Sequence, residues 1–369
     1  MRSFVHSAPA QRIVFGAGTI AEVGPELDRL NAARAVVLST PGQARLAIRV
    51  TTLLGSRAAA QFTGAVPHTP VEVTEHAVDV ARDHRADAVV AIGGGSTTGL
   101  GKAVASRLGI RHLVVPTPYA GSEVTPVLGE TSGGEKTTRS APDILPDTVV
   151  YDVELTTSLP WAVSVTSAIN ALAHAVEALY ANDATAGTDD LAIKAIRSLV
   201  GGLPVLRADL AGLDARADLL YGGWLAGRCL GAVGMGLHHK LCHTLGGAFN
   251  LPHAATHTVV LPYAMAYNAP AAPRAMSLIA EAMRVDKQGG RPPWPPATDD
   301  EDAPSAVQSL VRELGGPTSL REIGLAWGDI DRAAELAAAQ AYPNPRELTR
   351  AGITQLLQHA YAGDPIQPS

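Results

Sequence analysis

A chain of 369 residues that is 46% apolar and carries a formal net charge of −6 can bury a sizeable core and is long enough for two domains. It has no basic run or aromatic-basic stripe to offer a nucleic acid, and its two cysteines, Cys229 and Cys242, make no disulfide framework and fit a reducing cytoplasm. The opening stretch MRSFVHSAPAQRIVFG lacks an apolar export core, and no uninterrupted apolar window reaches about 18 residues, so neither export nor a membrane span is expected.

Up to about residue 155, short β-branched runs alternate with helical segments, the pattern of a parallel sheet covered by helices. Gln11 to Phe15 reads as the entering strand, with a helix from Gly18 to about Leu30. Ala35 to Ser39 is a buried strand ending in the polar turn Thr40-Pro41-Gly42-Gln43; Gln61 to Val66 is the third strand, and Val71 to His84 a helix. Ala88 to Ile92 is the fourth strand and runs directly into Gly93-Gly94-Gly95-Ser96. His112 to Pro116 is the fifth, ending in Thr117-Pro118-Tyr119-Ala120-Gly121-Ser122. A strand that stops at three glycines and then opens a helix presents bare amides at a helix N-terminus, where a pyrophosphate can approach without meeting a Cβ. The spacing is not GxGxxG, so the ordinary Rossmann assignment does not transfer. After the second strand, where a carboxylate would read a ribose, stand Ser39 and Thr40, which leaves both NADH and NADPH open.

From about Leu155 the pattern becomes helical. A helix from Ser164 places Asn170 and His174 on one face with Glu177 a turn later; further helices cover Asp189 to Val205, Ala215 to Cys229, and a stretch from about Gly236. Tyr263 to Ala266 continues the core, and Ala271 to Met283 is another helix. Gln288 to Pro304 reads as a surface loop in which Trp294 packs, followed by helices at Ser319 to Ile323, Trp327 to Ala339 and Thr349 to Ala362. The expected domains are residues 1–157 and 158–369, with a ligand cleft between them. Five of the twelve histidines fall in one apolar stretch: His238, His239, His243, His253 and His257. His239 and His243 share a helix face, and Gly246, Gly247 and Pro252 are expected to break that helix and bring His253 back toward it. Imidazoles gathered this way serve as metal ligands or as acid/base groups; His238 and His257 read as structural and Cys242 as packing.

GGGSTTGLGK (Gly93 to Lys102), PTPYAGSEVTP (Pro116 to Pro126), INALAHAVEALY (Ile169 to Tyr180) and HHKLCHTLGGAFNLPH (His238 to His253) resemble the iron-containing, or group III, alcohol dehydrogenase superfamily, and within it most closely maleylacetate reductases. The resemblance runs from near Arg12 to near Gly363. It implies an α/β N-terminal dinucleotide-binding domain with a parallel sheet plus an all-α C-terminal domain, as in dehydroquinate synthase. In metal-dependent members a DxxxH motif and two histidines fourteen residues apart hold the cation; here those positions are Asn170, His174, His239 and His253, so the aspartate is missing. Gly99 likewise stands where GGGSxxD would place an acid. Both departures resemble maleylacetate reductases, which are described as needing no metal. A pocket of amide and imidazoles without an acid binds a cation weakly and suits an anion.

The resemblance implies NADH- or NADPH-dependent reduction of maleylacetate, a small dianion, to 3-oxoadipate in the breakdown of aromatic compounds, by a cytoplasmic homodimer. His243 is then the first candidate for proton donor and His253 the second; Asn170, His174 and His239 hold substrate oxygen; Lys240 and Arg346 pair with its carboxylates. Gly93, Gly94, Gly95 and Ser96 take the pyrophosphate, Thr117, Tyr119 and Ser122 border the nicotinamide ribose, and Ser39 and Thr40 border the adenosine. The competing readings are a metal-dependent alcohol or aldehyde dehydrogenase of the same fold, a sugar-phosphate cyclase, against which the scarcity of lysine in the histidine stretch argues, and a catalytically dead ligand-binding relative.

Overall fold

The structure, a computed structural model, describes residues 9–133, 135–284, 302–339 and 341–366. It forms two compact units, and the chain passes from one to the other between Ser158 and Leu159.

The first unit comprises β1 (Arg12–Gly16), α1 (Val23–Arg29), β2 (Ala35–Leu38), α2 (Ala44–Leu54), β3 (Ala58–Phe62), α3 (Val71–Asp83), β4 (Ala88–Gly93), α4 (Gly95–Leu108), β5 (Arg111–Pro116), the hairpin β6 (Val127–Ser132) and β7 (Glu135–Ser140), and β8 (Thr148–Asp152). Six strands make one parallel sheet in the order β1-β8-β5-β4-β2-β3. Strands β2, β4 and β8 are buried at every position, which is why they read as continuous apolar runs rather than alternating ones. Val23 and Leu27 of α1 and Val50 and Leu54 of α2 cover one sheet face over Val37 and Val90. Val78 of α3 and Leu100 and Val104 of α4 cover the other over Val36 and Val89. Neighbouring strands β2 and β4 therefore send their following helices to opposite faces, opening a crevice at their carboxyl ends.

Three features of this unit differ from the sequence reading. Helix α2 went unread because its buried stripe, Ala47, Val50 and Leu54, is blurred by the exposed apolar residues Ile48 and Leu53. The third strand is Ala58–Phe62 rather than Gln61 to Val66, since register with β2 selects the earlier residues. Strand β8 and the hairpin were also unread; β8 is only five residues long and gains its place by pairing with β1 and β5, partners distant in sequence.

The second unit contains α5 (Trp161–Tyr180), α6 (Ala186–Ala208), α7 (Leu213–Ala232), α8 (Leu237–Phe249), α9 (His253–Asn268), α10 (Pro273–Met283), α11 (Ala303–Glu313), α12 (Ile330–Ala338) and α13 (Arg350–Ala362). Helix α5 packs against α6, α7 and α9. Among the described residues it is long and apolar enough to cross a membrane, yet 83% of that apolar window is buried, as a central core helix requires. Gly246 and Gly247 do not break α8; the helix runs to Phe249 and ends where Asn250 takes a left-handed conformation (φ 54°). Pro252 then caps α9 and His253 is its first residue. Ser319 to Ile323 forms turns rather than the expected helix, with Gly324 (φ 106°) beside it. Of the proposed loop Gln288 to Pro304, Asp302 caps α11 by accepting from the Ser305 N–H, and Ala303 and Pro304 open that helix; the remainder, with Trp294, lies outside the described residues.

Candidate active site

In the first unit the glycine run sits at the crevice between β2 and β4. Gly93 has a φ of 151°, and a Cβ there would lie 2.5 Å from Gln43 Oε1 and 2.6 Å from Thr97 Oγ1. Gly94 caps α4 and Gly95 is its first residue, with no side chain capping that end, so the N–H groups of the first turn, including that of Ser96, are left for a ligand. Thr97 Oγ1 is buried there without a hydrogen-bond partner. A backbone that excludes side chains, a bare helix N-terminus and an orphaned hydroxyl together fit a diphosphate.

Gln43, which the sequence reading left in a turn, fastens the rim of this crevice. Its Nε2 donates to Thr117 Oγ1 at 2.8 Å, and its Oε1 accepts from Thr40 Oγ1 at 3.4 Å. The Thr117 N–H donates to the Gly93 carbonyl at 3.0 Å. Thr40, Ser96 and Ser122 are half-buried beside the glycines. Two of the residues expected to border the nucleotide, Ser39 and Tyr119, are fully enclosed in the structure, Ser39 donating to the Thr40 carbonyl at 3.1 Å.

The loop after β5 is held by an unforeseen device. Lys102, buried on α4, donates from Nζ to the carbonyls of Ser122 (2.6 Å), Thr125 (2.8 Å) and Val127 (2.8 Å) and to Thr125 Oγ1 (3.1 Å). Burial pulls the Lys102 ammonium down to about 7, and the neighbouring Glu123 pulls the other way. Glu123, buried, accepts from the Tyr151 hydroxyl at 2.7 Å and the Gly121 N–H at 2.9 Å, and burial raises its pKa. Lys102 was visible in sequence as the last residue of GGGSTTGLGK, but nothing there told a buried lysine from a surface one.

In the second unit, α5, α8 and α9 bring the six histidines His174, His238, His239, His243, His253 and His257 together. Glu177 organises them. Its carboxylate accepts main-chain N–H bonds from Gly236 (3.0 Å), His238 (3.0 Å) and His239 (3.4 Å), capping α8 from a neighbouring helix. It also lies 2.7 Å from His239 Nδ1. That contact places a proton between the Glu177 carboxyl group and His239 Nδ1 and fixes the ring's orientation. His239 Nε2 in turn lies 2.7 Å from His174 Nδ1, so the two rings share one hydrogen bond. Asn170, one helical turn before His174, has a buried Oδ1 without a partner.

Behind these, His238 Nε2 and His257 Nδ1 are 2.9 Å apart and Cys242 Sγ is 3.7 Å from His238 Nε2, all three residues fully buried. Burial, reinforced by the surrounding imidazoles, holds both histidines well below the usual range and therefore neutral; burial likewise raises the Cys242 thiol. In front, His243 and His253 are exposed, with ring centroids 6.4 Å apart and planes within 17°. His239 lies 6.2 Å from His243, and His253 lies 4.5 Å from His257. The cluster is thus layered, with exposed imidazoles outside, a buried carboxylate-anchored pair in the middle and a neutral pair with a thiol inside.

Two expected substrate contacts have aromatic partners in the structure. The Arg346 guanidinium stacks on the Tyr267 ring at 4.4 Å and donates to the Tyr267 carbonyl at 2.9 Å. Tyr267 is roughly 15 Å further along α9 than His257, and Arg346 clamps that end of the helix. Lys240, next to His239 on α8, lies 5.9 Å over the Tyr342 ring.

Comparison with known proteins covers both units. Residues 10–153 match the iron-containing alcohol dehydrogenase profile and residues 164–361 match the C-terminal profile of the Fe-containing alcohol dehydrogenase family. Maleylacetate reductase 1 of Rhodococcus opacus is 51% identical over 361 residues, covering 98% of this chain and 97% of the relative. Among solved structures, a maleylacetate reductase from Agrobacterium tumefaciens is 48% identical with a TM-score of 0.91, covering 99% of this chain and all of that one. A Ralstonia eutropha JMP134 chain assigned to the alcohol dehydrogenases is 49% identical with a TM-score of 0.95, each chain covered in full. One profile takes in the glycine turn and the other the imidazole layers, and on those matches the chain is an oxidoreductase belonging to the iron-containing alcohol dehydrogenase family.

Proposed function

We propose that this oxidoreductase reduces maleylacetate to 3-oxoadipate with NADH or NADPH, without a catalytic metal. The observation that carries the reading is Asn170, a buried amide with an unpartnered oxygen one helical turn from His174, at the position where metal-dependent members of the family carry aspartate. Near-full-length similarity to maleylacetate reductases supports the substrate.

The family name implies iron, and the residues at its position do not fit it. Asn170 offers a neutral amide, no carboxylate stands in for the aspartate, and His239 Nε2 is engaged with His174 Nδ1 at 2.7 Å. The nicotinamide nucleotide does fit: Gly93 to Ser96 would hold its diphosphate, and Gln43, Thr40 and Thr117 would border its sugars. When bound, that nucleotide supplies the hydride.

The protein must then bind a dianion, steady charge on the ketone oxygen as the alkene takes hydride, and deliver a proton to the carbon α to the ketone. A pocket without an acid at Asn170 does not repel the dianion. The Asn170 side-chain amide can donate to substrate oxygen, and Glu177 holds His239 and His174 in one orientation. His243 is the proton donor, being exposed and beside His239; His253, facing it, is placed to orient substrate or to donate. The test follows NADH and NADPH absorbance with maleylacetate, and NAD reduction with simple alcohols, each with and without chelator. Chelator-insensitive consumption with maleylacetate is expected. Turnover confined to alcohols and restored only by iron or zinc would overturn the proposal.

A further inference from the structure

We propose that His238, Cys242 and His257 form a binding site for a borderline-to-soft transition cation such as Zn2+, separate from the position that holds iron in metal-dependent relatives. His238 and Cys242 stand four residues apart on α8, the spacing by which one helix presents two ligands to one ion, and His257 comes from α9, packed against it. One ligand atom from each lies within 4.8 Å of the others. Tetrahedral zinc, with bonds of about 2.0–2.1 Å to nitrogen and about 2.3 Å to sulfur, places two nitrogens about 3.3 Å apart and a nitrogen and sulfur about 3.5 Å apart. The observed separations are 2.9 Å for His238 Nε2 to His257 Nδ1 and 3.7 Å for His238 Nε2 to Cys242 Sγ, each within a few tenths of an ångström of those values; the third pair, His257 and Cys242, lies within 4.8 Å and closes on the ion by side-chain rotation.

The outer ring nitrogens, His238 Nδ1 and His257 Nε2, are buried without partners. Coordination places the ring hydrogens there, and the thiol proton leaves to solvent, so each ligand takes the form a cation requires. The donor set also explains the choice of ion. Two imidazoles and a thiolate favour zinc over magnesium or calcium, and the thiolate provides the negative ligand that Asn170 does not. The cation would tie α8 to α9 and hold the rings on which His239 and His253 rest.

The test uses the full-length protein after chelator treatment and dialysis, incubated overnight with Co2+ and then challenged with Zn2+. One cobalt should bind with a thiolate-to-cobalt charge-transfer band, and zinc should bleach it. Cys242→Ser and Cys242→Ala should abolish the band and weaken binding by about tenfold or more, while Cys229→Ser and His174→Ala should retain it. Melting curves of each variant show that the loss is not unfolding. No cobalt uptake, uptake without a thiolate band, or a band that survives in folded Cys242→Ser would overturn the site. Maleylacetate turnover by metal-free protein is a separate readout, and its failure would bear on the reaction and not on this site.

Discussion

Asn170 and Glu177 lie seven residues apart on α5, the one a neutral amide and the other a carboxyl group. The Glu177 oxygens accept from the main chain of α8 and meet His239 Nδ1, and the neutral Asn170 brings no carboxylate to the pocket proposed for the substrate. Asn170→Asp should therefore act on both ligands: KM for maleylacetate rises about tenfold from like-charge repulsion, and the protein gains affinity for a divalent cation. Steady-state kinetics with a parallel cation titration checks this, and an unchanged KM would detach Asn170 from the anion. His243→Ala should lower kcat about 100-fold with little effect on melting, because the ring is exposed and its loss opens no cavity. Near-parental turnover would remove His243 from the proton step and turn attention to His253.

At the scale of elements, what sequence reveals is what depends on near neighbours. The strand-glycine-helix unit at β4 and α4 and the histidine-bearing α8 could be read directly, because their signals lie within about a dozen residues. Strand β8 could not, since TVVYD is short and is made a strand by β1 and β5. The end of α8 was misplaced for a related reason: two glycines suggest a break, but a helix packed against α9 tolerates them, and Asn250 supplies the left-handed residue that ends it. Lys102 is the strongest case of a role set by packing. It ties together three carbonyls of the loop that carries Ser122, and Lys102→Met would leave those buried acceptors unpaired. The expected cost is about 3 kcal/mol of stability, with KM for the nucleotide rising roughly tenfold as the loop loosens. Denaturant unfolding and cofactor kinetics measure the two effects. Loss of stability with an unchanged cofactor KM would confine Lys102 to folding.

Across the whole molecule, buried bases in both units tie stability to pH with one sign. Burial lowers His112 in the first unit to about 3, and in the second holds His238 and His257 well below the usual 6.5. As pH falls below 6.5 the unfolded chain takes these protons while the folded one refuses them, so stability falls with acidification. Each histidine contributes a slope of about 1.4 kcal/mol per pH unit in that window. Glu123 opposes the trend, because its pKa, raised by burial above the usual 4.5, lets the folded state take a proton first. Lys102, lowered from 10.5 to about 7, extends the loss upward: stability should climb from pH 7 toward pH 10 as the unfolded chain alone stays protonated. Urea midpoints at pH 8, 7, 6 and 5 should therefore fall steadily. His112→Leu should flatten the first unit's acid slope by about 1.4 kcal/mol per pH unit and leave the second unit's unchanged. A midpoint that stays level from pH 7 to 5 would mean that these rings already carry their protons in the folded state, and the neutral inner layer of the histidine cluster would have to be abandoned.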